Sequence, residues 1–291
     1  MSVFVLKLIA VGTMFIDHLT YILALAGFLP YASVAYRAGR AVGRIAFIIL
    51  AYLLVNGFEK TSDRKKYLGR LILYAAVSQV PFTLAFTGGN YRSAGVMFFS
   101  FDAMAALPLL LPLAVYFFFV AKGRADSSCL TLLVAFALAG PRLCVDGIML
   151  LGGHMNVFYT LAVSMALMMA LEYLRSSGRS WVRVALCFAA LGVELFFLQQ
   201  NADYGLLGVG LVIGLYFLRG RRAAQLLYAA VWCAAEYYAS PLFLMGAWAA
   251  LVPLAFYNGK LGRKMRTAFY AFYPVHLGML GLLFILLRRI G

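Results

Sequence analysis

The 291-residue sequence is short of charge: aspartate and glutamate together number only 10, and charged residues make up 12%. A soluble domain of this length carries about a quarter charged residues, so a water-facing globule is excluded. Cysteine is scarce too. Cys129, Cys144, Cys187 and Cys233 fall in or beside apolar runs without CxxC spacing. That excludes a disulfide framework or a thiolate metal site and leaves them as small buried hydrophobes; no metal is expected. Internal repeats, low-complexity tracts and linkers are also lacking, so one domain over 1–291 is the economical organisation.

Hydrophobic residues fill the space, at 65% and a mean hydropathy of +0.91. Apolar runs of about 17–25 residues recur from end to end, each able to cross a hydrocarbon core of about 30 Å. The first run is too long for a signal-peptide h-region, and no small-x-small cleavage site follows it. The fold class is therefore an all-α integral membrane protein, a single polytopic bundle of about 10–11 transmembrane helices.

The formal charge of +15 could suggest nucleic acid, but its distribution argues for topology. Basic residues cluster in short loops: Lys60 with Arg64, Lys65, Lys66 and Arg70; Lys122 with Arg124; Arg175, Arg179 and Arg183; Arg219, Arg221 and Arg222; Lys260, Arg263, Lys264 and Arg266. Short basic loops stay cytoplasmic. Spans at 3–29, 41–57, 68–87, 97–121, 128–151, 156–174, 181–200, 205–218, 223–239, 242–258 and 267–287 put all five clusters on one face, with the N-terminus cytoplasmic. The fifth, broken by Gly140-Pro141 and carrying Arg142 and Asp146, is either a span or a re-entrant segment.

Polar groups at membrane depth cost a few kcal/mol each unless paired or wet, which makes five places informative. In TMFIDHLTY, Asp17 and His18 lie next to each other within the first span. Adjacent helix positions diverge by about 100°, so Asp17 shares a face with Thr13, Thr20 and Tyr21, and His18 with Met14, Tyr21 and Ile22. His18 is either a satisfied packing histidine or a general base, the role imidazole fills most often near neutral pH. In YRAGRAVGRIAF, Arg37, Arg40 and Arg44 form one stripe at i, i+3 and i+7 on the non-cytoplasmic face, where pairing with Asp17 or holding an anion would account for them. Gly39 and Gly43 allow close helix approach there.

Arg64, Lys65, Lys66 and Arg70 feed a helix carrying Ser78, Gln79 and Pro81. They are topogenic charge, or they meet a phosphate-bearing cosubstrate from the cytosol. QQNADYG, with Asp203, follows Glu194 and reads as turn chemistry. His276, beside Pro274, has only Tyr273 as a polar neighbour at helical spacing, so sequence alone favours core packing for it.

Taken together, LKLIAVGTMFIDHLTYIL, GRAVGRIAFIILAYLLVNGFEKTSDRKKYLGRLILYAAVSQVPF, NVFYTLAVSMAL, NADYGLLGV and YNGKLGRKMRTAFYAFYPVHL resemble the TraX family, whose namesake is the conjugative pilin acetylase. The blocks keep the family's order from Leu6 to His276; residues 88–152 match least and look like an insertion of two spans. Ile48 stands where the GRIAF block usually continues with proline.

The resemblance implies an acyltransferase-3-like bundle of the multi-helix membrane acyltransferase superfamily, in the bacterial inner membrane. Acetyl-CoA is then the cytosolic cosubstrate, and the acceptor, a pilin N-terminal amine or a surface glycan hydroxyl, waits on the other side. By position His18 is the catalytic histidine, assisted by Asp17, and Arg64, Lys65, Lys66 and Arg70 form the CoA-facing segment. Tyr21, Arg37, Arg40, Arg44, Gln79, Asp203 and His276 are candidates for substrate or transition-state contacts. Two other classes compete. A proton-coupled transporter would use Asp17, Glu194, Asp203 and Glu236 as relay acids, though two similar halves are not visible. A non-enzymatic pilus or conjugation assembly factor would pair off its polar groups in a sealed bundle.

Overall fold

The computed structural model describes residues 1–86, 98–103, 106, 109, 110, 113, 114, 127–145, 148–152, 154–176, 180–264 and 266–290. Lys122, Arg124, Asp146, Arg179, most of span four and much of 88–152 lie outside the described residues, as do the side chains of Cys129 and Arg266. The elements run α1 (Val3–Leu25), α2 (Val34–Lys60), α3 (Arg64–Phe86), β1 (Phe98–Phe101), α4 (Ser127–Ala139), β2 (Pro141–Val145) and β3 (Ile148–Leu151). They continue with α5 (Val157–Arg175), α6 (Trp181–Asn201), α7 (Gly205–Phe217), α8 (Arg222–Tyr237), α9 (Pro241–Ala249), α10 (Leu251–Ala255) and α11 (Arg266–Ile290).

Six described helices, α1, α2, α3, α5, α6 and α11, are long and apolar enough to cross a membrane. The protein is an all-α membrane protein, with one small sheet added. Two compact units are formed, Met1–Gly57 with Leu211–Gly291, and Phe58–Gly210.

In the first unit, Ser2 caps α1 by accepting from the Val5 N–H. The helix stops at Gly27, whose φ of 86° is easy only without a Cβ. Gly27 donates to Ala24 O at 3.0 Å and Phe28 to Leu23 O at 2.9 Å, the Schellman closure of a helix end. At the other end of α1, the Val3 and Phe4 amides donate to Lys260 O and Leu261 O, and the Asn258 amide to Met1 O. Arg222 donates to Leu254 O at 2.6 Å. The N-terminus and the loops carrying Arg219–Arg222 and Lys260–Lys264 thus share one end.

From that end α1 and α11 run side by side in the same direction, Lys7 lying 4.6 Å over the Phe269 ring and His18 meeting His276 further along. Helix α2 runs the other way along α1, with Gly43 against Asp17 and Gly39 against Thr20. Gly246 of α9 presses on the Ala41 carbonyl of α2. The expected tenth span is split into α9 and α10 because Pro253 has no N–H to continue the ladder.

In the second unit α3, α4 and α6 pack around α5, whose residues Val157–Ala166 are all buried. The fifth span is expected to continue to 151. Instead α4 ends at Ala139, and β2 and β3 form an antiparallel hairpin with β1 on its edge. Pro141 removes an amide and disfavours helix at the residue before it, and Phe101 faces Pro141 across the sheet. Arg142 on β2 pairs with Asp102. Cys144, Cys187 and Cys233 are buried and form no disulfide among the described residues.

Candidate functional site

Asp17, on α1, is 7% exposed. Its Oδ1 lies 2.9 Å from Arg40 Nη1, and Arg44 Nη2 donates to both carboxylate oxygens at 3.2 and 3.3 Å. Arg40 and Arg44 come from one face of α2, as the stripe predicts. Arg44 Nε also donates to Arg40 O at 3.1 Å, and Arg44 donates to the Tyr237 hydroxyl. The guanidinium groups rest against rings: Arg40 lies 5.2 Å from the Tyr21 centroid and Arg44 5.7 Å from that of Phe243. A side chain at Gly43 would occupy the space of the Asp17 carboxylate, so the glycine is what lets the two helices close on the ion pair. Arg37, one turn earlier, is exposed. Glu236 Oε2, on α8, is buried with no hydrogen-bond partner among the described residues, within electrostatic reach of Arg44.

His18 points to a different neighbour. Its Nδ1 is 2.8 Å from His276 Nε2 on α11, and the two rings lie edge to edge and nearly coplanar, 5.1 Å between centroids and 2° from parallel. His276 Nδ1 lies 2.8 Å from Phe272 O one turn back. Phe272 covers the far face of the His276 ring at 4.4 Å, and Tyr273 stands edge-on to both histidines at 6.2 and 5.6 Å. His276 is 3% exposed. The hydroxyls of Thr13 and Thr20 donate instead to Ile9 O and Ile16 O within α1. Adjacent residues of α1 therefore do separate things: Asp17 anchors two arginines and His18 engages a second imidazole.

The remaining candidates belong to the second unit. Arg64 stacks on Phe58 at 4.1 Å, Arg70 lies 5.4 Å over Tyr67, and Lys65 and Lys66 are exposed. Asp63 caps α3 by accepting from the Lys66 amide at 2.9 Å; that hydrogen bond and the Lys66 ammonium hold its carboxyl below the usual carboxylate value. Arg70 Nε is buried without a hydrogen-bond partner among the described residues. Exposed Lys65 and an unsatisfied guanidinium N–H suit a phosphate group, whereas the Asp63 carboxylate already takes the helix N-terminus and lies 3.2 Å from Lys66 Nζ.

Gln79 is drawn into packing. Its amide group donates to Thr83 Oγ1 at 3.3 Å and His154 O at 2.9 Å, while its oxygen accepts from Asn156 Nδ2 at 2.9 Å. Asp203 pairs with His154 at 3.2 Å. Sequence reasoning passed over Asn156 as a network residue. It also left Glu194 unassigned to a partner, where Tyr159 and Thr131 donate to its two oxygens at 2.8 and 2.9 Å.

A family model described as TraX protein matches residues 2–107 and 103–284. A probable fimbrial assembly protein FimC, serogroup H1, of Dichelobacter nodosus is 28% identical over 283 residues, covering 96% of this chain and 94% of that one. No solved structure matches.

Proposed function

The chain belongs to the TraX family, and from that premise we propose that it is an inner-membrane acetyltransferase carrying acetyl from cytosolic acetyl-CoA to an amine or hydroxyl on the opposite side. The observation that carries the reading is the His18–His276 pair, a titratable imidazole held by a second one inside two apolar helices. A purely packing role would not call for two hydrogen-bonded imidazoles at this depth, where polar groups are costly.

In the proposed reaction His18 takes the proton from the acceptor as its lone pair attacks the thioester carbonyl carbon. The carbon–sulfur bond then breaks, the acetyl group stays on the acceptor, and the departing thiolate takes the proton back from His18 to leave as the CoA thiol. Tyr21, Arg40 and Arg44 neighbour His18 in the first unit and supply the donors from which an oxyanion contact is drawn. Asp17 contributes by holding those arginines. Lys65, Lys66 and Arg70 are assigned the CoA phosphates. At 1.5 Å per residue His18 lies about 22 Å along α1 from the end shared by the basic loops, so the acceptor enters from the opposite end. A pilin N-terminus and a surface glycan are the acceptor classes.

The name of the Dichelobacter nodosus relative favours a second reading, a fimbrial assembly factor without catalysis. The deciding experiment is release of free thiol from acetyl-CoA by detergent-purified protein, wild type against His18→Ala, with a peptide amine or a sugar added. Acceptor-dependent release by the wild type and its loss in a folded His18→Ala supports the transferase. A wild type that neither binds CoA nor releases thiol leaves the assembly factor standing.

A further inference from the structure

On the reading that His18 is the base, we propose that His276 is the positioning residue that fixes His18 in the tautomer carrying its proton on Nδ1 and its lone pair on Nε2. Phe272 O, a carbonyl, can only accept, so the His276 Nδ1 at 2.8 Å from it carries a hydrogen. A neutral imidazole has one N–H, which makes His276 Nε2 an acceptor. His18 Nδ1, 2.8 Å from that acceptor, must then donate. One pattern satisfies both contacts of the uncharged pair, and it leaves His18 Nε2 unprotonated.

This matters because a neutral histidine left to itself prefers its proton on Nε2, the wrong nitrogen for a base reaching outward from α1. The triad logic of hydrolases solves the same problem with a carboxylate behind the histidine; here a neutral imidazole takes that position, anchored in turn by a backbone carbonyl. Phe272, 13° from parallel with the His276 ring, and Tyr273, edge-on to both rings, hold the orientation. When His18 Nε2 receives the acceptor proton, its Nδ1–H stays on His276 Nε2 as a charge-assisted bond. Asp17 cannot fill the role, being turned to Arg40 and Arg44.

The test is the ring-nitrogen NMR spectrum of histidine-labelled protein in detergent, practicable because the chain has only 3 histidines; His154→Gln assigns the third. The expected wild-type result is a protonated Nδ1 and an unprotonated Nε2 on His18, with the proton moving to Nε2 in His276→Ala. In thiol release, His276→Ala is expected to lose about 100-fold in kcat with the KM for acetyl-CoA unchanged. His276→Gln, whose amide oxygen accepts from Nδ1, is expected to recover about a tenth of wild-type kcat.

A helix clamp without a positioning role would lower stability but leave the tautomer and kcat alone. A wild-type His18 protonated on Nε2, or a folded His276→Ala with unchanged tautomer, overturns the inference. If His276→Ala does not fold, the wild-type spectrum together with His276→Gln decides. A wild type with the expected tautomer and no thiol release upholds the hydrogen-bond chain and refutes the acetyl transfer it rests on.

Discussion

At the scale of single residues, Asp17 and His18 are neighbours with opposite consequences when removed. Asp17→Asn strips the anion from between two guanidinium groups in a nearly closed setting. Breaking a buried pair on one side costs about 3 kcal/mol, because the cations stay behind. His18→Ala loses the hydrogen bond to His276 and the edge contact with Tyr273 and is expected to cost about 1 kcal/mol. Thermal unfolding in detergent should therefore rank Asp17→Asn well below His18→Ala, while thiol release ranks them the other way. The reverse order in unfolding would mean that Asp17 is not the anchor.

Glycine gives a matched pair. Gly43→Ala drives a methyl into the Asp17 carboxylate and is expected to cost about 2 kcal/mol. Gly12→Ala, on α1 with nothing within 4 Å of its added carbon, should gain up to about 1 kcal/mol from helix propensity. Equal effects at the two positions would show that α1 and α2 do not meet closely. The Asp17–arginine pairing was legible in the sequence, since a lone carboxylate facing an arginine stripe at helical spacing has few ways to be neutralised. The role of His276 was not: its partner is 258 residues away, and no local spacing encodes a contact at that separation.

At the scale of elements, hydropathy located the long helices because span length is set by the bilayer, and α1, α3, α5, α6 and α11 fall where the apolar runs place them. It failed at 141–151, where one proline outweighed the hydrophobicity and the chain paired as strands. It also set the start of α2 too late, at 41, because the arginines of the stripe lower the hydropathy of a segment that is helical from Val34. Asn156 shows what an element boundary depends on. It caps α5 by accepting from the Phe158 amide at 3.1 Å and donates to Gln79 Oε1 and Ala75 O. Asn156→Ala removes the cap, worth about 1 kcal/mol, and the side-chain hydrogen bonds to Gln79 Oε1 and Ala75 O, worth about 1 kcal/mol each. An unfolding loss of about 3 kcal/mol is expected, and no smaller a loss for Asn156→Asp, which keeps the cap but sets a buried carboxylate oxygen against those two acceptors.

The start of α3 responds to acid. Asp63 has a depressed folded pKa, so its contribution is present above the usual carboxylate value and fades as pH falls through the lower, folded one. Amide exchange at Lys66, corrected for intrinsic rates, should lose protection below about pH 4, and Asp63→Asn should abolish that pH dependence. Unchanged protection in the acid range would leave the cap without a role.

At the scale of the whole molecule, the orientation of the first unit follows from where its loops converge. The N-terminal residues, Arg222 and the 256–264 loop are tied by backbone and side-chain hydrogen bonds into one end, and that end carries Arg219, Arg221, Arg222, Lys260, Arg263 and Lys264. Short basic loops are retained in the cytoplasm, which puts this whole end there in the proposed orientation. Helix α1, 23 residues long, spans about 34 Å and in that orientation carries the Phe28–Tyr31 turn to the other side. In a background with all four cysteines replaced, Leu261→Cys and Tyr31→Cys give the comparison, since both side chains are exposed, at 64% and 52%. A membrane-impermeant maleimide applied to intact cells should label Tyr31→Cys and spare Leu261→Cys until the membrane is opened. The converse pattern would invert the unit and place His18 nearer the cytosol, where an acceptor on the cell surface could not reach it. The orientation and the direction of acetyl transfer therefore stand or fall together.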